Sequence, residues 1–186
     1  MHVAETAAKA AIELSDVLKR IKDEQVQKLI DAICEAKRIY VAGAGRSLLM
    51  LRCFAMRLMH LGFESYVVGD TTTPAFEPGD LLIIGSGSGE TSTVLSIANK
   101  AKKIGGTIAV ITIKADSSLG RMADLLVEIP GYTNKVDYQD LERPIMPSGS
   151  LFEQSLLLLG DAVVIPLAEK KGIPLDKPFS RHANLE

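Results

Sequence analysis

A three-layer α/β/α sandwich around a five-stranded parallel sheet is the fold this sequence predicts, and three features predict it. Five short runs are apolar at successive positions instead of alternating, which is the pattern of strands covered on both faces. Helical stretches fall between those runs, the order expected when parallel strands are joined by right-handed crossovers. Glycine-containing turns follow the first and third runs and lead straight into helices. In an open, doubly wound sheet, ligands bind beyond the carboxyl ends of the strands.

The chain has 186 residues, enough for one domain that buries roughly 70% of the surface its unfolded form exposes. It divides into N-terminal helices over 1–36, a sheet core over 37–130, a loop over 131–150, and a last helix with a tail over 151–186. Ala7, Ala8, Ala11, Leu14, Leu18 and Ile21 recur at helical spacing and predict a helix over 4–20. Val26, Leu29, Ile30 and Ile33 mark a second helix over 24–36, with Asp23 as its N-cap. Strands follow at 38–42, 65–68, 81–84, 107–112 and 125–129. Helices are expected at 47–61, closed by Gly62, at 91–104, ended by Gly105 and Gly106, and at 151–171, with a kink at Pro166. The stretch 130–149 is long, polar and proline-containing, as in a lid or a subunit contact.

Lys and Arg number 21 against 23 Asp and Glu, a net charge of −2. That balance disfavours nucleic acid and anionic membranes, which select clustered basic charge. A small anion needs only a local site. Cys34 and Cys53 lack CxxC spacing and read as reduced, packed thiols rather than a disulfide or zinc site. No basic stretch followed by an apolar run opens the chain, and no apolar run reaches the ~18 residues of a membrane span. A cytosolic protein is expected.

The loops after strands carry the chemistry. Gly43-Ala44-Gly45-Arg46-Ser47 follows the first strand, and Gly85-Ser86-Gly87-Ser88-Gly89-Glu90-Thr91 follows the third. Glycine lets the backbone approach a ligand, and the following helix start offers unpaired N–H groups at a positive dipole end. Ser86, Ser88 and Thr91 add hydroxyl donors for phosphate oxygens, and Gly45, Arg46 and Ser47 add contacts from the neighbouring loop. For the first loop, a tight strand-to-helix turn accounts for the glycines equally well. The second is different: a turn alone gives no reason for three glycines alternating with two serines before a threonine. Neither loop has the lysine of a Walker motif. GxGxxG begins at Gly43 and Gly45 but meets Leu48 at its third glycine, and Asp70 lies farther on than a ribose-binding acid should. Dinucleotide binding is a minor alternative.

The second loop, with the turn 77–80 before its strand, Ile111-Thr112 and Ala123-Asp124, resembles the signature of the sugar isomerase (SIS) domain family. The residues 43–47, 54–62 and 149–154 and the terminal His182-Ala183-Asn184-Leu185-Glu186 are similar to the branch acting on hexulose phosphates. The resemblance covers nearly the whole chain. It implies a flavodoxin-like SIS fold, a bound phosphosugar, no redox cofactor, no metal, and assembly as a homodimer or homotetramer. The activity it implies interconverts a 3-hexulose 6-phosphate and fructose 6-phosphate, the second step of formaldehyde fixation by the ribulose monophosphate route.

Moving a carbonyl between adjacent carbons needs a base on one face and donors near both oxygens, through a cis-enediol. Glu153 is the first candidate for that base. It stands in the first turn of the last helix among Leu151, Phe152, Leu156 and Leu157, where a solvated acid has little reason to be; the lesser alternative is an N-terminal acid answering the helix dipole. Glu90 is second, with bracing of its own loop as the simpler role. His182 is the candidate for ring opening or for proton shuttling between the two oxygens, on a tail that folds over an active site of its own or a neighbouring subunit. The alternatives are another aldose–ketose phosphate isomerase and a non-catalytic phosphosugar sensor.

Overall fold

The structure is a computed structural model that describes residues 2–132, 144–174, 181–182 and 184–185. Two helices, α1 (Val3–Leu18) and α2 (Asp23–Glu35), precede β1 (Ile39–Gly43), α3 (Gly45–His60), β2 (Ser65–Val67) and β3 (Leu81–Gly85). There follow α4 (Ser92–Ile104), β4 (Thr107–Thr112), α5 (Ser118–Met122), β5 (Leu125–Glu128) and α6 (Ser150–Lys170). All strand pairs are parallel, in the order β2-β1-β3-β4-β5. Strand order therefore reverses between β1 and β3, and the crevice of a doubly wound sheet opens at that point. Gly43 pairs with Gly85, so both glycine-bearing loops leave the sheet side by side.

The successive apolar residues of each strand serve two cores. Ile39, Val41, Leu81, Ile83, Ala109 and Ile111 pack against α2, α3 and α6, while Tyr40, Ala42, Leu82, Ile84, Ile108 and Val110 pack against α4 and α5. Period-two side-chain alternation thus feeds both faces, as the unbroken hydrophobic runs required.

Several boundaries differ for identifiable reasons. Lys22, not Asp23, occupies the N-cap of α2; Asp23 falls in the first turn, where its carboxylate favours the dipole without capping. α3 begins two residues earlier than the sequence suggests, at Gly45, whose φ of +56° suits glycine. α5 was not anticipated: it is a single turn, too short to show periodicity, held by the buried Ser117 hydroxyl accepting the Gly120 N–H at 3.1 Å. In α1 the predicted stripe is only partly used, since Ala10 and Val17 are buried while Ala7, Ala8 and Ala11 are exposed. Cys34 is exposed and Cys53 half-buried, so only the latter is packed as expected; both are free thiols.

α6 carries Glu153 and Asp161 and so holds no unbroken apolar run of membrane-spanning length. It is nonetheless long and apolar enough, by length and composition, to cross a membrane. Here it serves as a core helix, burying Leu151, Phe152, Leu156, Val163 and Leu167 against α3 and the sheet. It continues for one turn past Pro166, and Asp161 on its open side pairs with Arg57 of α3 at 3.5 Å.

Candidate active site

The loop after β3 is bent into shape by its own carbonyls, which turn back into the scaffold. Gly87 O accepts from the Thr112 hydroxyl and from Ile113 N–H, each at 3.2 Å, and Gly89 O accepts from Leu119 N–H at 3.0 Å. Gly89 has φ +65°, and a side chain there would strike the Ser117 hydroxyl, so glycine is the residue this close approach permits. The N–H groups of Gly87 and Ser88 take no partner among the described residues, and the first turn of α4 adds its own unpaired donors. Thr91 is the N-cap of α4 but makes no capping bond, so its hydroxyl stays available. Ser86 is buried, whereas Ser88 and Thr91 are half-buried at the loop rim.

Glu90 braces this loop. Its Oε1 accepts the Ser118 N–H at 2.8 Å, and this bond holds the carboxyl below the usual carboxylate range. Glu90 does not line the cavity that its loop borders.

That cavity measures about 310 Å³, at the small end of ligand sites. Its walls are the start of α3 (Ala44, Gly45, Arg46 and Ser47), Gly85 to Ser88 with Thr91, and Ser148, Gly149, Phe152 and Glu153 around the start of α6. Three helix N-termini therefore meet at one cavity, each presenting a positive dipole end. Such convergence favours an anion strongly, whatever the net charge of the chain. Within it stands one carboxylate. Glu153, its side chain 14% exposed, accepts a 2.5 Å hydrogen bond at Oε2 from Arg46 Nε.

The structure brings together Gly45, Arg46, Ser47, Ser86, Ser88, Thr91 and Glu153. It does not bring His182 to them. The His182 ring stacks on His60 at 5.0 Å between centroids, with 24° between planes. His60 ends the helix whose first turn lines the cavity, so at 1.5 Å per residue it lies about 22 Å along α3 from Gly45, and His182 stacks at that far end. The Arg181 guanidinium lies over Gly62 beside it. His60 is buried; burial first, then the His182 ring and Arg57, hold it below the ordinary histidine value. Glu186 and the stretch 133–143 of the expected lid or contact loop lie outside the described residues.

Asp70, which follows β2 where a ribose-binding acid would stand, accepts instead from Arg52 at 2.5 and 3.3 Å. Among the described residues no three His, Cys, Asp or Glu side chains gather as metal ligands. The sequence reading missed Ser148, Gly149 and Phe152 as wall residues. Gly149 before α6 repeats the glycine-before-helix signal of the other two loops and could have marked the third wall.

A sheet of this order with a glycine- and hydroxyl-rich loop at its switch point is a doubly wound α/β domain fitted to a phosphorylated ligand. The chain belongs to the SIS domain family, whose family profile matches residues 32–139. It is 46% identical over 186 residues to a 3-hexulose-6-phosphate isomerase of Bacillus subtilis, covering 100% of both chains. To a 3-hexulose-6-phosphate isomerase of Mycobacterium gastri it is 45% identical over 175 residues, 94% of this chain and 86% of that one. A crystal structure of a Methanococcus jannaschii protein, for which 3-hexulose-6-phosphate isomerase function was inferred, superposes with a TM-score of 0.83 at 37% identity. That superposition covers 98% of this chain and 99% of the other.

Proposed function

We infer that this chain is an isomerase interconverting 3-hexulose 6-phosphate and fructose 6-phosphate. One observation carries the reading: a single half-buried carboxylate, Glu153, shares a small cavity with a phosphate-type loop, in a chain that aligns end to end with isomerases of that substrate.

The phosphate sits on the Ser86, Ser88 and Thr91 hydroxyls and the N–H groups of their loop, with Gly45 and Ser47 closing the other side and Arg46 turned to Glu153. Glu153 takes the proton from C2 of the 3-ketose. The C2–H pair becomes the C2=C3 bond, and the C3 carbonyl pair moves to O3, giving a cis-enediolate. O3 gains a proton and O2 loses one. Glu153 then returns its proton to C3 on the same face, and the C2 carbonyl of fructose 6-phosphate forms. Electrons and protons balance within the substrate, so the step calls for no redox partner. Donors at the helix starts stabilise the oxyanion as it develops.

His182 belongs in this scheme as a group supplied by a second copy of the chain, because the same copy holds it on His60, at the end of α3 remote from the cavity. A homodimer or homotetramer meets that need, and the exposed alanines of α1 offer a contact face. A cytoplasmic setting fits the exposed free thiol of Cys34. In the ribulose monophosphate route the reaction is the second step of formaldehyde fixation.

The test is direct. Formaldehyde and ribulose 5-phosphate are converted by a synthase into 3-hexulose 6-phosphate, the protein is added, and fructose 6-phosphate is measured. Product above the no-protein background is expected. Its absence overturns the assignment.

A further inference from the structure

We propose that Arg46 is a positioning residue for Glu153, and that it carries little of the phosphate's affinity. The proposal rests on the reading of Glu153 as the base and refines it. Arg46 lies in the first turn of α3, where a basic side chain is unfavourable to the helix dipole, and a place there needs a compensating partner. That partner is Glu153, 107 residues away, reached at 2.5 Å through Nε. The bond through Nε fixes where Oε2 lies and so restricts rotation of the carboxylate about its last side-chain bond.

The two carboxylate oxygens are then unequal. Oε2 is occupied by Arg46. Oε1 lies over Gly149, 3.6 Å from where a side chain at that position would begin. Gly149 has φ +79° and carries no side chain, so the space beside Oε1 stays open to a substrate carbon. Oε1 is accordingly the atom that takes and returns the proton, and Arg46 holds it in place. A same-face transfer between C2 and C3 needs one oxygen to reach two adjacent carbons. A carboxylate free to rotate would give up that alignment, and misplacement by about 1 Å can cost on the order of 10²-fold in rate.

The phosphate site is complete without Arg46, from three hydroxyls and the N–H groups of Gly87, Ser88 and the α4 start. A phosphate ligand and a positioning residue predict opposite results when Arg46 is replaced.

The experiment compares Arg46→Gln with Ser88→Ala in two measurements. In turnover of 3-hexulose 6-phosphate, Arg46→Gln is expected to lower kcat by about 10²-fold while KM moves by less than about threefold. Guanidinium ion added to Arg46→Gly should restore part of the lost kcat, since the Arg46 side chain is 58% exposed and its place is open to solvent. In titration with inorganic phosphate, Arg46→Gln should bind like the native protein, whereas Ser88→Ala should bind more weakly. A loss of phosphate affinity of about tenfold or more in Arg46→Gln, the size of a broken charge-assisted hydrogen bond, overturns the proposal. So does an Arg46→Gln kcat equal to the native value. The phosphate titration reads Arg46 whatever the sugar substrate is, so absence of native turnover sinks the functional assignment without deciding the role of Arg46.

Discussion

Replacing Glu153 with Gln removes the base while keeping its shape. Loss of a positioned general base lowers kcat by about 10²–10⁴-fold. The stability cost is much smaller, because the Arg46 side chain is 58% exposed and solvent screens the pair. Such a pair contributes on the order of 1 kcal/mol at most, and the Gln amide oxygen can still accept from Arg46 Nε. For a chain of this length ~1 kcal/mol corresponds to a Tm change of roughly 2–4 °C. Phosphate affinity should hold, since the substitution takes an anion out of the cavity and leaves the hydroxyls of Ser86, Ser88 and Thr91 in place. The assay follows fructose 6-phosphate through a coupled dehydrogenase, beside a thermal melt and a phosphate titration on the same preparation. Glu90→Gln is the companion variant and should retain most turnover, because Glu90 faces Ser118. A Glu153→Gln protein that turns over within about tenfold of native, with an unchanged melt, would refute the reasoning and move the base elsewhere.

Phe152 is 2% exposed and its ring lies against Gly87 of the loop, so Phe152→Ala should cost about 3–5 kcal/mol in denaturant unfolding and also weaken phosphate binding. Loss of stability with phosphate affinity intact would show that the loop does not depend on this backing. His60 is held below the ordinary histidine value, so the unfolded chain takes up its proton first as pH falls past about 6.5. Tm should therefore decline as pH drops from 7, level off once folded His60 protonates, and decline less steeply in His60→Phe; an identical slope in that variant would exclude the histidine as the cause. A chain ending at residue 181 should melt close to native yet turn over poorly, and mixing it with Glu153→Gln chains under subunit exchange should recover activity. No recovery would mean that sites are not shared between copies.

The sheet was legible in the sequence because its strands are buried on both faces, which leaves uninterrupted apolar runs that few other structures produce. The loop from Gly85 to Thr91 was legible as a cavity wall because hydroxyls alternating with glycines exceed what a turn requires. Glu153 was legible as an acid among apolar neighbours, but its bond to Arg46 was not, since nothing local links residues 107 positions apart. The helix dipole alone would account for a first-turn acid, and what tertiary structure adds is the place of Glu153 in the cavity wall beside Arg46. α5 escaped notice because one turn has no period to detect, and its existence depends on the Ser117 cap and on Gly89 approaching it. The position of His182 was beyond sequence reasoning for the same cause: stacking on His60 joins two distant segments without a pattern in either.

The meeting of three helix starts at one cavity has a consequence for how binding responds to acidity. Oriented peptide groups and hydroxyls do not gain or lose protons in the physiological range, and neither does a guanidinium. The part of the affinity they supply is a fixed field, switched on at every pH at which the chain is folded. Whatever acidity does to that part must then come from the ligand, whose phosphate passes from monoanion to dianion near pH 6. The protein in effect reads the ionisation of its guest, and a guest that loses its second charge loses its hold on donors that have not themselves changed.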